Sequence, residues 1–499
     1  MKHLYILLFV LISGITHSQS EKFYCEEINS ILRTSNAFPF GVASGDPTES
    51  TVVLTTTLNP FKIITQSGVV CEISETKDFK EIRRSYSITP NELSAYSIKV
   101  NVTNLAQNKT YYYRFQYGGE TSVVGKTKTI ASNPSSMQFA VVSCSNYEWG
   151  FFNAYESIAI REDIDFVIHL GDYIYEYGPN VYGNSKLARK HLPGKELITL
   201  QDYRSRYAQY RLDPQLQKMH QNMPMLSIWD DHEFANDAYT DGAQNHQAEE
   251  GSWEVRKRNA QQAYFEWLPI TDNTLLTVRR SFHYGNFVDL YLLDERIEGR
   301  SQQGKMDSVT SGSMNTMLGQ EQKSWLMKEM EQSHAKWSLI GNQVLFSSLT
   351  IPPGAEAIKK NNDMWIGYPT EHDFLLEQWK KRKEKNLIIL TGDAHSSFSI
   401  SLGDVETPIG KEWVTPSVTS ANLDEKLARR KVKRIEKKLL SKNVNPQLDM
   451  VNLRKHGYMI VRLTESEAQA SWYFVKTLNK VNSRSKKSKQ VIFQNAAKK

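Results

Sequence analysis

The stretch Asp165-Phe-Val-Ile-His-Leu-Gly-Asp-Tyr-Ile-Tyr175 sets how the rest of the chain is read. It opens as an apolar run with few polar interruptions, suited to a strand covered on both faces. It then breaks at Gly171 into a turn that carries a carboxylate and a phenol three residues apart. The same construction recurs at three other places. Met137-Gln-Phe-Ala-Val-Val-Ser-Cys144 ends in a thiol, Met225-Leu-Ser-Ile228 runs into Trp229-Asp-Asp-His-Glu233, and Leu387-Ile-Ile-Leu390 leads to Gly392-Asp-Ala-His395. Phe287-Val-Asp-Leu-Tyr-Leu-Leu293 and Trp337-Ser-Leu-Ile340 are further apolar runs, and long helical patterns separate them. This grammar predicts an α/β sheet covered by helices on each side, with ligands gathered beyond the carboxyl ends of the strands.

Outward from this region the grammar changes. Between residues 37 and 130 short β-rich runs, such as Thr51-Val-Val-Leu-Thr-Thr-Thr57, Gly68-Val-Val-Cys-Glu-Ile73 and Tyr111-Tyr-Tyr-Arg-Phe-Gln-Tyr117, are separated by turn signals. They predict an N-terminal antiparallel β-sandwich, of the fibronectin or immunoglobulin kind, with nothing catalytic in it. Ala131-Ser-Asn-Pro-Ser-Ser136 makes a natural boundary, and the catalytic part is expected over 137–475. Gly457–Thr464 and Ala470–Val475 suggest a final hairpin, followed by a basic tail, 476–499, expected to be mobile.

The chain has 499 residues, 40% of them hydrophobic, which is ample for two domains. Met1-Lys2-His3, the apolar run Leu4 to Ile15 and Thr16-His17-Ser18 resemble a signal peptide, cleaved after Ser18. The other reading of this segment is an uncleaved anchor. Export would place the protein in the periplasm, outside the cell or on its surface, and Cys25 and Cys71 could pair there, although Cys71 equally suits a buried strand position. The net charge of +6 is concentrated in Glu425 to Leu440 and in the tail. Leu427, Val432, Ile435 and Leu439 recur near helical spacing, so the first segment is expected to be an amphipathic helix with a solvated basic face, and peripheral association with anionic surfaces stays open. No specific nucleic-acid binding is expected.

The strand-tip residues have the chemistry of metal ligands. Asp172 can bridge two cations, Cys144 and Tyr175 can bind as thiolate and phenolate suited to a trivalent ion, and His395 offers nitrogen. Asp393, Asp231 or Asn236 could complete an all-oxygen site for calcium or magnesium. Each residue alone has an ordinary explanation: a turn aspartate, a core histidine, a buried thiol. Asp230 can be read as bracing the backbone. Recurrence of one pattern at four places favours metal.

The segments resemble, in order and wording, the PhoD-like alkaline phosphatases and phosphodiesterases, a branch of the calcineurin-like metallophosphoesterases. The resemblance rests on Phe40-Gly-Val-Ala-Ser-Gly-Asp46, Ser143-Cys144-Ser145, His169 to Glu176, Trp229 to Glu233, Leu293-Asp-Glu-Arg296, Trp365 to Pro369, Leu390 to His395 and Asn445 to Leu448. It implies a metallophosphoesterase-type sheet-and-helix sandwich and a ferric ion held by Cys144, Asp172, Tyr175 and His395. Asp172 would also reach a calcium ion near Asp393 and Asn236, with zinc, manganese or magnesium as other metals. Asp231 stands where related phosphoesterases place an asparagine ligand. His232 would lie near the phosphate or leaving group, and Arg296 would bind phosphate, with Glu295 before it where a smaller residue is common.

The expected reaction is hydrolysis of a small or polymeric phosphate ester, monoester or diester, by in-line attack of a metal-bound hydroxide or oxide. The loops Ile351-Pro-Pro-Gly354 and Asn361 to Pro369 would govern which ester is preferred. A cysteine-nucleophile phosphatase would need arginine six positions after Cys144, where Gly150 stands. The other class is a non-enzymatic cell-surface binding protein with a structural metal. A site built from one chain's strand tips requires no second copy.

Overall fold

The computed structural model describes residues 22–64, 66–304, 315–356, 361–382 and 386–494. The proposed signal peptide lies outside them. Two large sheets carry the fold. The first has nine strands in the order Ser485–Gln494, Glu467–Val475, Gly457–Thr464, Ser136–Val142, Val167–Leu170, Pro224–Ile228, Val42–Gly45, Val52–Thr57 and Ser97–Val102. Ser136–Val142, Val167–Leu170 and Pro224–Ile228 run parallel, with Val167 opposite Ala140 on one side and Met225 on the other. The second has seven strands, in which Val288–Leu292, Trp337–Asn342, Leu387–Thr391 and Pro408–Val414 form the parallel centre.

These strands need cover on both faces because they are apolar on both, and the stacked sheets supply one of those faces. Val141, Ile168 and Leu226 of the first sheet share a core with Leu290, Leu339, Ile388 and Trp413 of the second. Burying each such side chain contributes about 1.5–3 kcal/mol. Indole donors tie the sheets together: Trp337 Nε1 bonds Thr464 O at 2.8 Å and Trp472 Nε1 bonds Val414 O at 3.0 Å. On the outer face of the second sheet, Leu326, Met330, Leu375 and Trp379 of the helices Gly319–Gln332 and Pro369–Lys381 pack on Tyr291, Ile340 and Ile389. The parallel centres of both sheets place their carboxyl ends at the same edge. There the loop after Ser136–Val142 bridges to Ser417 from the second sheet.

The N-terminal β region is built into the rest of the fold. Val69–Ser74, Ile82–Ile88 and Thr110–Tyr117 belong to a separate five-stranded sheet. Its facing layer, Val42–Gly45, Val52–Thr57 and Ser97–Val102, is the far end of the nine-stranded sheet, because Ser44 and Gly45 pair in parallel with Pro224 and Met225. Cβ on Gly45 would lie 2.0 Å from Pro269 O, so only glycine permits this approach.

Three expectations are corrected. The tail is not mobile over 485–494: it adds an edge strand to Glu467–Val475, held by main-chain pairing along its length and by burial of Phe493, although most of its side chains are exposed. The basic segment divides into Leu423–Lys426 and the helix Arg429–Leu439, so Leu427 falls between them while Val432, Ile435 and Leu439 are buried. Cys25 and Cys71 are free thiols: Cys71 points into the core of the sandwich, and Cys25 precedes the helix Glu26–Thr34. Alkylation of the denatured, unreduced protein should therefore modify all three cysteines, as read by intact mass. Modification of Cys144 alone would restore the disulfide.

Candidate metal centre

Glycines bring the loops together. Gly171 adopts φ +95°, and a Cβ there would meet Asp230 Cβ at 2.4 Å and Asp230 N at 2.6 Å. Gly392 lets its loop approach Leu170 O and the Ser143 side chain, which a Cβ would meet at 2.9 and 3.2 Å. Main-chain bonds then lock the loops to each other: Cys144 N to Gly171 O at 3.1 Å, Ser145 N to Asp172 O at 2.8 Å and Val418 N to Ser143 O at 2.9 Å. Glu233 reaches across, accepting from Asp172 N at 3.0 Å and Asp230 N at 2.8 Å.

Three groups of ligand atoms result, each within 4.8 Å: Cys144, Asp172 and His395; Asp172, Asp231 and His232; Asp230, Asp231 and Asp393. Asp172 joins the first two groups and Asp231 the last two, so the three form one continuous cluster. The Tyr175 phenol completes the first, 2.8 Å from Asp172 Oδ2 and 3.4 Å from His395 Nε2. The structure thus brings together Cys144, Asp172, Tyr175, Asp231, His232, Asp393 and His395. Asn236 meets the site through its main chain, its N–H donating to Glu176 Oε1 at 2.8 Å, while its amide Nδ2 donates to Gln244 Oε1 at 3.0 Å. Arg296 is fully buried, with Nε on Asp230 and Nη1 on both oxygens of Asp363 at 2.7 and 2.8 Å. Its Nη2 alone lacks a hydrogen-bond partner.

Cys144, Asp172, Asp393 and His395 all hold the left-handed backbone conformation, at φ 61°, 56°, 46° and 50°. Each costs about 1–3 kcal/mol in a non-glycine residue, a strain characteristic of functional sites. Asp172 Oδ1, Asp230 Oδ2 and Asp231 Oδ1 are buried without any hydrogen-bond donor. Of the three, only Asp231 Oδ1 has a charged neighbour, Arg296 Nη2 at 3.5 Å, and burying carboxylate oxygens without donors is costly; one or two cations would satisfy all three. The donor set therefore fits metal.

The electrostatics agree. Burial pushes Asp172, Asp393 and Cys144 well above their usual ranges, and neighbouring carboxylates add to it. Asp230 is pushed up to about 6 by burial even though Arg296 pulls the other way. Burial raises the Tyr175 phenol, with Asp172 and Cys144 reinforcing it. His395 is pushed down to about 3 by burial and by His232, so its lone pair is free for a metal. His232 goes the opposite way: burial lowers it, but Asp231, Asp172 and Glu176 together outweigh burial and hold it well above the ordinary histidine range. Its Nδ1 sits 2.7 Å from Glu176 Oε2, and its ring stacks on Tyr175 at 4.2 Å.

Four contributors escaped the sequence reading: Asp230 as a member of the cluster, Glu233 as the brace, Glu176 behind His232, and Asp363, which with Asp230 anchors Arg296. Asp230 and Glu233 could have been found, since they stand in the same strand-tip segment as Asp231 and His232. Asp363 and Arg296 are 67 residues apart, and nothing local links them.

Two stacked sheets with flanking helices carry carboxylate, imidazole and thiol groups at their shared edge, an arrangement able to hold metal. The chain belongs to the PhoD-like phosphatase family: residues 139–472 match the PhoD-like phosphatase model and residues 26–131 match the model of its N-terminal domain. It is 36% identical over 435 residues to alkaline phosphatase D of Bacillus subtilis (strain 168), covering 82% of this chain and 73% of the relative. The solved structure of PhoD matches it with a TM-score of 0.81 at 31% identity, over 92% of this chain and 91% of that one. The protein is a phosphoric ester hydrolase.

Two outcomes follow from this geometry. Without a cation, burial shifts Asp172, Asp230, Asp393 and Cys144 toward their protonated forms, Asp230 to about 6, so metal loading should expel protons and metal affinity should rise with pH around that value. Calorimetry at pH 6 in two buffers of different ionisation enthalpy should show net proton release, and zero release would contradict the account. Gly171→Ala should cost about 2 kcal/mol or more in denaturant unfolding, from the left-handed backbone and the clash with Asp230, and it should lower metal content.

Proposed function

We propose that the protein is an exported, metal-dependent hydrolase of phosphate monoesters or diesters that works through two metal ions. A ferric ion would be held by Cys144, Asp172, Tyr175 and His395. A calcium ion, or zinc, manganese or magnesium in its place, would be held by Asp172, Asp231 and Asp393, with Asp230 and Asn236 at hand. The observation that carries this reading is the continuous cluster of buried carboxylates whose outer oxygens have no donor. Thiolate and phenolate in one group supply anionic charge suited to a trivalent cation such as ferric ion, while the all-carboxylate group suits a hard divalent one.

Bound there, the metals would supply Lewis-acid charge at the phosphate and an ionised water as nucleophile. The residues do the rest. His232, oriented by Glu176 at Nδ1, is the group placed to donate a proton to the departing alkoxide. Tyr175, stacked on that ring, fixes its plane. Arg296, buried and paired with Asp230, Asp363 and, through Nη2 at 3.5 Å, Asp231, holds those carboxylates in place, and in this reading its charge would favour the phosphate anion beside them. No covalent phospho-enzyme is required.

Export rests on the residues that precede the described region. Among the described residues no helix is long and apolar enough to cross a membrane. The helix Arg429–Leu439 exposes Arg430, Lys433, Arg434 and Lys437, which supports peripheral attraction to anionic surfaces.

The function is tested by hydrolysis of bis(4-nitrophenyl) phosphate and of 4-nitrophenyl phosphate. Activity should vanish on chelation and return with added metal, and a chelator-resistant enzyme would contradict the reading. His232→Asn should lower kcat for alkyl esters by about 10²–10⁴ but far less for nitrophenyl esters, whose leaving group needs no proton. Equal losses on both would remove the proton-donor role. Phenolate bound to ferric ion absorbs visible light, so the purified protein should be coloured and Tyr175→Phe should bleach it.

A further inference from the structure

A recess of about 340 Å³ opens beside the metal cluster, and His395 and Ala394 form part of its wall. Its lining is otherwise largely apolar: Leu345, Leu349, Ile351, Met364, Phe398 and Leu453. Ile351 and Met364 come from the two loops that sequence analysis tied to ester preference, so the structure gives those loops a shared task. Leu349, Ile351, Met364 and Leu423 are only partly buried, and they rest on a core of Phe398, Ile400, Val432, Ile435 and Leu453. The helix Arg429–Leu439 packs into that same core, which makes the floor of the recess part of the rigid fold.

Partly exposed apolar side chains gathered in a concavity, rather than scattered, mark a ligand site. Polar groups such as Ser347, Ser396 and Asn422 stand at its edges, and about 150 Å³ of apolar cavity suffices for a benzene ring. The recess has more than twice that volume, falls in the size range of small-molecule sites, and shares a residue with the cluster that would hold the phosphate. The exposed Lys426 stands on its wall, an ammonium group available to the anionic end of whatever enters.

We propose that this recess is the subsite for an apolar organic group of the substrate, an aryl or medium-length alkyl substituent on the phosphorus ester, and that Leu349, Ile351 and Met364 set the preference for it. The proposal rests on the hydrolase reading for the placing of the phosphate at the cluster. The recess contributes binding and orientation and takes no part in bond making or breaking, the reacting phosphorus being placed at the ligand cluster. The substrate it selects is an amphiphile, with an anionic phosphate on the metals and an apolar group in the recess.

Phosphonates, which carry a carbon–phosphorus bond that the enzyme does not hydrolyse, separate binding from chemistry. Titration calorimetry on the full-length, metal-loaded protein should show phenylphosphonate and octylphosphonate binding at least about tenfold more tightly than methylphosphonate. Leu349→Gln and Ile351→Asn should each erase most of that ratio, with methylphosphonate affinity in the same variant reporting an intact metal centre. Met364→Gln, at a partly buried position in the same wall, serves should either variant fail to fold. Equal affinities in the natural protein, or an apolar preference that all of these variants keep, would overturn the proposal. A preference that depends on these residues in a protein hydrolysing no phosphate ester would sustain the subsite and refute the hydrolase reading instead. Hydrolysis without any preference would do the reverse.

Discussion

Three carboxylates, Asp172, Asp230 and Asp231, lie buried at one edge of the protein with oxygens that no hydrogen bond satisfies. Much of the surrounding architecture serves to hold them there. Two parallel sheet centres aim their carboxyl ends at this edge, Gly171 and Gly392 let loops from both sheets touch, and Glu233 clamps the Asp172 and Asp230 loops by their main-chain N–H groups. Arg296, itself buried, is held from both sides by Asp230 and Asp363. An arrangement so costly without a counter-charge is intelligible when a cation completes it, and the left-handed conformations of Cys144, Asp172, Asp393 and His395 fit the same account.

The charge distribution also divides labour between two histidines. His395 is kept neutral, ready to bind, whereas His232 is drawn to the charged form by the carboxylates around it. Both are buried in one site, and their immediate partners separate them: Ala421 O at 3.1 Å from His395 Nδ1, and Glu176 Oε2 at 2.7 Å from His232 Nδ1. A ligand and a proton donor can then coexist within one ring-stack of each other.

Much of this was legible in the sequence because strand tips advertise themselves. Cys144, Asp172, Tyr175, Asp231, Asp393 and His395 each follow an apolar run, and the structure collects them. Runs apolar on both faces announced parallel strands covered on each side, with helices expected as both covers; that one cover is a second sheet rather than helices became visible only in the fold. Less legible were features whose cause lies far away in the chain. Asp363 matters because Arg296 meets it, and Ser485–Gln494 is a strand because Glu467–Val475 leaves an edge to cover. The N-terminal sandwich shares its sheet with the catalytic region through the pairing of Ser44 with Pro224, which no local pattern announces. Whether Cys25 and Cys71 pair was open in the sequence, and only their places in the fold decide it.

The central claim is that these loops exist to hold metal. Elemental analysis of the purified protein by mass spectrometry, with and without Asp172→Asn, tests it most directly. The account predicts close to two metal ions per chain, iron with calcium, and loss of more than half of that content in the variant, because Asp172 belongs to two of the three ligand groups. A natural protein that hydrolyses phosphate esters while carrying no metal, or a variant that retains the full complement, would contradict it.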